Sequence, residues 1–124
     1  MKKVISTTAA PGAIGPYSQA IDTGTFVYAS GQIPINPANG EVVEGIKAQT
    51  EQSIANVTAI LNEAGLSLEN VVKTTVFLAD MNDFAAMNEV YGNAFKAPYP
   101  ARSAVAVREL PKKVLVEIEV IAMR

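Results

Sequence analysis

Two segments with helical periodicity, set among segments that alternate like β-strands, limit the fold of this chain more than any other feature. From Gly45 onward, apolar and small side chains recur at helical spacing, and Gly65 then provides a natural helix stop. A second helical segment follows residues 80–83, which contain two aspartates as N-cap candidates. The sides predicted to be buried consist of Thr50, Ile54, Val57, Leu61 and Ala64 in the first helix and Phe84, Met87, Tyr91 and Phe95 in the second.

The segments around these helices are rich in β-branched and aromatic residues, which is typical of strands. We predict strands over residues 25–33, 71–78, 102–107 and 114–123, with one or two more before residue 25. A turn at residues 110–113 joins the last two strands. The order therefore predicts an α+β fold with a mixed sheet, and 124 residues are enough for a single domain, residues 1–124.

The predicted strands carry apolar residues in both registers, which bears on assembly. Two helices can cover only one face of such a sheet. In residues 71–78 (VVKTTVFL), for example, β-branched and aromatic side chains point to both faces. The second face would be buried if it packed against other copies of the chain, so we expect a homo-oligomer.

Composition and charge exclude several classes of function. The formal net charge is -2, with no run of like charges, so no electrostatic footprint for nucleic acid or an anionic membrane is present. After the basic start only Val4 and Ile5 precede Ser6, which is too short for a signal peptide, and no segment approaches membrane-spanning length. The absence of cysteine fits a reducing compartment, and we expect a cytoplasmic protein with no membrane partner.

The candidate chemistry rests on Arg102 and Glu117, which lie on neighbouring strand-like segments of a chain without histidine or cysteine. Proton transfer must then fall to Glu, Asp, Lys, Tyr or water. A guanidinium binds a carboxylate through two parallel hydrogen bonds, and a glutamate can hold or deprotonate a water molecule. Glu117 and Glu119 alternate with apolar residues and so share one face of their strand. The pair Arg102 and Glu117 suggests a small carboxylate-bearing substrate attacked by water.

Each candidate also has an ordinary structural explanation. Arg102 can be a surface residue in a weak salt bridge, and Glu117 can belong to a solvated strand face. Gly31, inside a strand, indicates either a β-bulge or a close approach to the backbone. Tyr17 can be a core or edge aromatic, and Asn88 an exposed helix residue. These alternatives stay open on the residues alone.

Six motifs run in order along nearly the whole chain: residues 14–20 (IGPYSQA), 30–34 (SGQIP), 73–77 (KTTVF), Asn88 with Tyr91, 100–103 (PARS) and 116–119 (VEIE). Together they resemble the Rid (YjgF) family, specifically its RidA-type enamine/imine deaminases. The resemblance implies a chorismate-mutase-like fold with two helices on one face of the sheet. It also implies a homotrimer with a central β-barrel and an active site in each cleft between subunits.

The activity implied by the resemblance is hydrolysis of 2-iminopropanoate and 2-iminobutanoate, or their enamine tautomers, to 2-oxo acids and ammonia, without cofactor or metal. Pyridoxal-phosphate-dependent dehydratases release these reactive species, so the activity limits metabolite damage. Arg102 would bind the substrate carboxylate, and Glu117 would position water and move a proton. The resemblance completes the substrate site with Tyr17, Ser30, Gly31 and Asn88.

Two positions depart from the family pattern. Many members have a cysteine where this chain has Ala104, so no thiol can contribute here. The loop at residues 96–99 also looks shorter than in some relatives, which would reshape the rim of the pocket. Three rival functions remain: a non-catalytic sensor of small carboxylates, a ribonuclease or translation inhibitor, and a chorismate mutase suggested by the fold alone.

Overall fold

A six-stranded mixed sheet forms the framework of the protein in a computed structural model that describes residues 2–124. In chain order the strands are β1 (Lys3–Ile5), β2 (Ala20–Asp22), β3 (Phe26–Gln32), β4 (Val71–Leu78), β5 (Ala101–Ala106) and β6 (Val116–Met123). Across the sheet the order is β1-β2-β3-β6-β4-β5, and only β4 and β5 pair in parallel. The predicted α+β fold with a mixed sheet and two helices is confirmed.

Helix α1 (Ile46–Glu63) ends where the sequence predicts. Gly65 has a φ of +79°, a backbone conformation that favours glycine. The amide of Leu66 then donates to the carbonyl of Leu61 at 2.8 Å, so one of the last carbonyls of the helix is satisfied.

Helix α2 (Phe84–Ala94) connects the parallel strands β4 and β5. A turn of 3-10 helix, Met81–Asp83, directly precedes it. Asp80 caps this turn, since its carboxylate accepts a hydrogen bond from the amide of Asn82 at 2.8 Å. Among residues 2–124, neither helix combines the length and the apolar character needed to cross a bilayer.

Both helices lie on the same face of the sheet. Helix α1 packs on β3, β6 and α2, and a buried hydrogen bond joins Tyr91 of α2 to Thr74 of β4. The large, fully buried side chains of this layer are Val27, Val57, Ile60, Leu61, Val76, Leu78, Met87, Phe95, Val116, Ile118 and Val120. The opposite face is open: Tyr28, Val105 and Met123 are 48%, 46% and 46% exposed. Apolar side chains therefore do occupy both faces of the strands.

Buried amide side chains hold the loop between β3 and α1 in place. The Nδ2 group of Asn56 donates to the carbonyls of Ile33 and Ile35, at 3.1 and 3.0 Å. The Nε2 group of Gln49 donates to the carbonyl of Val43 in the same loop at 3.0 Å. Because these amides bond backbone groups that would otherwise be buried without partners, the loop has a fixed path over α1. Ile33 and Ile35 are thereby placed along the cleft described below.

The carboxyl-terminal Arg124 joins three parts of the fold. Its guanidinium donates to both carboxylate oxygens of Asp22 on β2 and, at 2.7 Å, to the carbonyl of Ala64 at the end of α1. The hydrogen bonds from Arg124 hold the pKa of the Asp22 carboxyl below its ordinary value. Strand β6 is thus tied to β2 and α1 at its very end.

Candidate active site in two halves

A bulge in β3 brings Glu117 against the backbone of Gly31. Ala29 pairs with Val120 and Gln32 pairs with Ile118, so β3 has one residue more than β6 over this interval. A Cβ atom added to Gly31 would lie 2.9 Å from Cδ and 3.2 Å from Cγ of the Glu117 side chain. The two explanations for this glycine, a bulge and a close approach to the backbone, therefore hold together.

The carboxyl group of Glu117 is half-buried and has an altered acidity. Burial raises the pKa of Glu117 above its ordinary value, and the negative charge of Glu119 raises it further. No cation or hydrogen-bond donor among residues 2–124 offsets these effects. A half-buried carboxyl group with a raised pKa is suited to exchanging protons with a molecule bound beside it.

Glu117 lies in a cleft of about 800 Å³ on one side of the molecule. Three elements form the walls: the amino-terminal loop, the β3 bulge with the loop after it, and the turn before β6. The lining residues are Pro11, Gly12, Ile14, Tyr17, Gln19, Ser30, Gly31, Gln32, Ile33, Ile35, Pro37, Gly40, Pro111, Lys112 and Glu117. A mainly apolar cleft with few polar groups is typical of small-molecule sites.

The amino-terminal wall of the cleft is held by Gln19. This buried side chain accepts a hydrogen bond from the amide of Thr7 at 2.7 Å and donates to the carbonyl of Pro11 at 2.8 Å. The hydroxyl of Ser30 donates to the carbonyl of Ser18 at 2.6 Å, which joins the wall to the bulge. Because the hydroxyl proton of Ser30 is donated to Ser18, only the hydroxyl oxygen is available to a ligand, as a hydrogen-bond acceptor.

We expect Gly31→Ala to displace the carboxylate of Glu117 while leaving the fold intact, since the atoms in conflict belong to a flexible side chain. Once the carboxyl group is displaced toward water, its pKa should fall toward that of an ordinary glutamate, because the pKa is raised chiefly by burial. NMR titration of the Glu117 carboxyl carbon measures this change, and thermal melting measures stability.

Gly12→Ala is the matched control, because Gly12 lines the same cleft and an added Cβ there meets no atom within 4 Å. The control should titrate as the parent does. An unchanged Glu117 pKa in Gly31→Ala would mean that the glycine does not set the position of this carboxylate.

The second half of the site surrounds Arg102 on β5. The Nη1 group of Arg102 donates to Oδ1 of Asn88 at 2.7 Å. The guanidinium carbon lies 4.7 Å from the ring centroid of Tyr91 and 5.5 Å from that of Phe84. No carboxylate within residues 2–124 forms an ion pair with Arg102, in contrast to the pairs Lys47–Glu89 and Arg124–Asp22. The guanidinium is thus oriented but keeps donors available for an anion.

The two halves lie on opposite faces of the sheet within one chain. Arg102 pairs with Thr74 of β4, and Glu117 pairs with Phe77 of the same strand. Thr74 and Phe77 are an odd number of positions apart in a regular strand, so their side chains point to opposite faces. None of the residues that line the cleft comes from α2 or β5. Arg102 and Glu117 of the same chain therefore do not face each other.

The predicted site residues separate accordingly into two groups. Tyr17, Ser30, Gly31 and Glu117 line one cleft, whereas Arg102 on β5 lies against Asn88 on α2. Asn88 contacts the guanidinium directly. Ala104 follows Arg102 at the next position on the same face of β5 and is half-buried. Its methyl group offers no reactive atom.

Sequence reasoning missed several of the residues around both halves. Gln32 and Lys112 line the cleft, and Lys112 has a φ of +55° that a turn prediction alone does not reveal. Phe84 packs against the core as predicted, and its half-buried ring also faces Arg102. The spacing of Phe84, Asn88 and Tyr91, which places them on one face of α2, is the signal that would have found this group. No cluster of three or more metal-ligating side chains occurs among the described residues 2–124.

Comparison with protein-family models identifies one family across nearly the whole chain. The model described as Endoribonuclease L-PSP matches residues 7–124. This range includes β2–β6, both helices and every residue of the two half-sites.

Individual relatives are similar over their full lengths. A RutC family protein of Pyrococcus horikoshii is 58% identical over 125 residues, which cover 100% of this chain and 99% of the relative. A protein of Salmonella typhimurium named 2-iminobutanoate/2-iminopropanoate deaminase is 52% identical over 127 residues, with 100% and 99% coverage. Among solved structures, that of Escherichia coli TdcF with bound serine matches with a TM-score of 0.96 and 51% identity, covering 98% of each chain.

Proposed function

Because the chain belongs to the Endoribonuclease L-PSP family, and within it to the RidA-type proteins of the Rid (YjgF) family, we propose that it hydrolyses 2-iminopropanoate and 2-iminobutanoate, or their enamine tautomers, to 2-oxo acids and ammonia. The observation that carries the proposal is the presence of two groups: an oriented guanidinium with no carboxylate partner within residues 2–124, and a half-buried carboxyl group of raised pKa. The first suits the carboxylate shared by these substrates, and the second suits the water that attacks them.

The proposed site is completed by two copies of the chain. Arg102 of one copy meets the Glu117 cleft of another, since the two residues lie on opposite faces within one chain. The open sheet face, with Tyr28, Val105 and Met123 nearly half exposed, supplies apolar surface for such an assembly. We propose a homotrimer in which these faces form a central β-barrel.

In the proposed mechanism, Arg102 binds the substrate carboxylate with two hydrogen bonds and so orients the planar imine carbon. Glu117 accepts a proton from water as the water oxygen bonds to that carbon and the C=N π electrons move to nitrogen. The same carboxyl group returns the proton to nitrogen. The C–N bond then breaks and ammonia leaves, while the new hydroxyl group passes its proton to the carboxylate of Glu117 and becomes the C=O group of the 2-oxo acid. Positioning with modest acid/base assistance is enough, because an iminium carbon is already electrophilic.

The cleft does not favour the ribonuclease that the family description names. Its lining within residues 2–124 contains a single cationic side chain, Lys112, and a single aromatic ring, Tyr17. Phosphate chains are held by several cations, and single-stranded bases by stacked rings. The net charge of -2 also opposes binding to RNA.

The proposal is tested by generating 2-iminobutanoate from threonine with a pyridoxal-phosphate-dependent dehydratase and following its decay. We expect the protein to accelerate the release of ammonia and 2-oxobutanoate over the spontaneous rate. A decay rate that does not change with added protein would contradict the deaminase function.

The shared site is tested by co-expressing Arg102→Ala and Glu117→Gln chains that carry different affinity tags. Each variant alone should be inactive, but random mixing should leave about a quarter of the sites with both native residues, because each half comes from a different chain. Hybrids purified through both tags should therefore regain activity. Hybrids no more active than the separate variants would contradict a site between copies.

A further inference from the structure

One face of α2 surrounds the guanidinium of Arg102. Phe84, Asn88 and Tyr91 lie on this face, and each contacts Arg102 in a different way. Asn88 accepts a hydrogen bond, whereas the two rings present their faces to the cation. The ring of Tyr91, at 4.7 Å, is the nearer of the two.

The ring of Tyr91 is itself fixed by its neighbours. Its hydroxyl lies 2.8 Å from Oγ1 of Thr74, and both residues are buried, at 4% and 0% exposure. The ring also stacks on that of Phe95, with the centroids 4.4 Å apart. A ring with a buried hydrogen bond at its tip and a stacked neighbour keeps one orientation.

The strand register connects Thr74 to Arg102 as well. Thr74 on β4 is the parallel-strand partner of Arg102 on β5. Thr74, Tyr91 and Arg102 are thus held relative to one another by the fold. The pairing of β4 with β5 fixes the backbones of Thr74 and Arg102, and α2 places the ring of Tyr91 in contact with both side chains. A long arginine side chain has many rotamers in water, so restricting it before binding lowers the entropic cost of binding an anion.

We propose that Thr74 and Tyr91 are positioning residues that hold the guanidinium of Arg102 in the orientation needed to bind the substrate carboxylate. This inference rests on the carboxylate-binding role proposed for Arg102. Asn88 uses one N–H group of the guanidinium, and the others stay available for the two parallel hydrogen bonds to a carboxylate. Thr74 and Tyr91 act through Arg102 and do not touch the reacting carbon.

The test compares Thr74→Val and Tyr91→Phe, each of which removes one hydroxyl of the buried pair. Thr50→Val is the matched control, because Thr50 is also 0% exposed and its hydroxyl also makes a 2.8 Å hydrogen bond, to the carbonyl of Ile46 in α1. All three variants are expected to melt at a lower temperature than the parent. Kinetics with 2-iminobutanoate and NMR measurement of rotation about the Nε–Cζ bond of Arg102 distinguish them.

For Thr74→Val and Tyr91→Phe we expect KM to rise about three- to tenfold with kcat within about twofold, because substrate binding loses its preformed partner. Rotation of the guanidinium should become faster in both. Thr50→Val should keep the parent's KM and rotation rate. If KM or the rotation rate stays at the parent's value in both hydroxyl variants, or if Thr50→Val changes them equally, the pair is only a core contact and the inference fails.

The failure of the proposed function would be recognised separately. If the parent protein does not accelerate imine decay, the deaminase function fails, while the NMR comparison still decides whether Thr74 and Tyr91 hold Arg102. An unchanged rotation rate in both variants would overturn the positioning role regardless of the reaction.

Discussion

Glu117→Gln is expected to lower kcat for imine hydrolysis by about 10²- to 10⁴-fold, the range typical of one acid/base group. The amide is nearly the same size as the carboxyl group but is a far poorer proton acceptor. Binding of 2-oxobutanoate should stay within a few-fold of the parent, because Arg102 is unchanged. Steady-state kinetics and calorimetric titration measure the two effects.

Glu119→Gln provides the matched control for Glu117→Gln. Glu119 is exposed, and its charge is one of the two causes that raise the pKa of Glu117. The control should keep its turnover, while its activity should persist to a lower pH than the parent's, because Glu117 then ionises more readily. In the parent, acidification protonates Glu117 at a higher pH than an ordinary glutamate and should stop the reaction there.

Three outcomes would each change the interpretation of Glu117. Loss of binding together with turnover would make Glu117 a structural residue. Survival of both would mean that water is activated elsewhere, with Tyr17 or the substrate nitrogen as the next candidates. A parent that binds 2-oxobutanoate without hydrolysing imines would favour the non-catalytic sensor.

Arg102→Lys is expected to lower kcat/KM for imine hydrolysis by about 10²-fold, although the positive charge is kept. An ammonium cannot form two parallel hydrogen bonds to a carboxylate, and it loses the planar contact with the rings of Tyr91 and Phe84. Affinity for 2-oxobutanoate should fall with the rate, because the carboxylate is bound in the ground state too. Kinetics and calorimetric titration measure both.

Arg108→Lys is the control for this substitution, since Arg108 is exposed and lies just after β5. It should behave as the parent does. Near-normal activity of Arg102→Lys, with the fold verified by circular dichroism, would return Arg102 to the role of an ordinary surface residue.

The secondary structure could be predicted because local signals agreed with the tertiary structure. The strand predicted at residues 71–78 coincides with β4, and Gly65 ends α1 where its positive φ requires glycine. Strand ends differ by one or two residues elsewhere: β5 is Ala101–Ala106, whereas the sequence predicts a strand over residues 102–107. Such ends depend on the pairing partner, which local sequence does not specify.

The division of the candidate site could not be predicted from the residues themselves, although the family resemblance implies a site between subunits. Whether Arg102 and Glu117 share a face depends on how β5 and β6 each align with β4, and a shift of one residue in either pairing would reverse the answer. The bulge at Gly31 adds one more residue to β3 and moves its later side chains relative to β6. The alternation of Glu117 and Glu119 predicted their shared face correctly, because that property belongs to one strand.

If the proposed site is shared between copies, the placement of Arg102 and Glu117 on opposite faces of one sheet would also link the reaction rate to the protein concentration. A site shared by two copies exists only while the copies are associated, so the rate per chain would fall when dilution separates them. The rate would then follow a power of the protein concentration greater than one until association is complete. The expression level would therefore change the activity of each chain as well as the total activity.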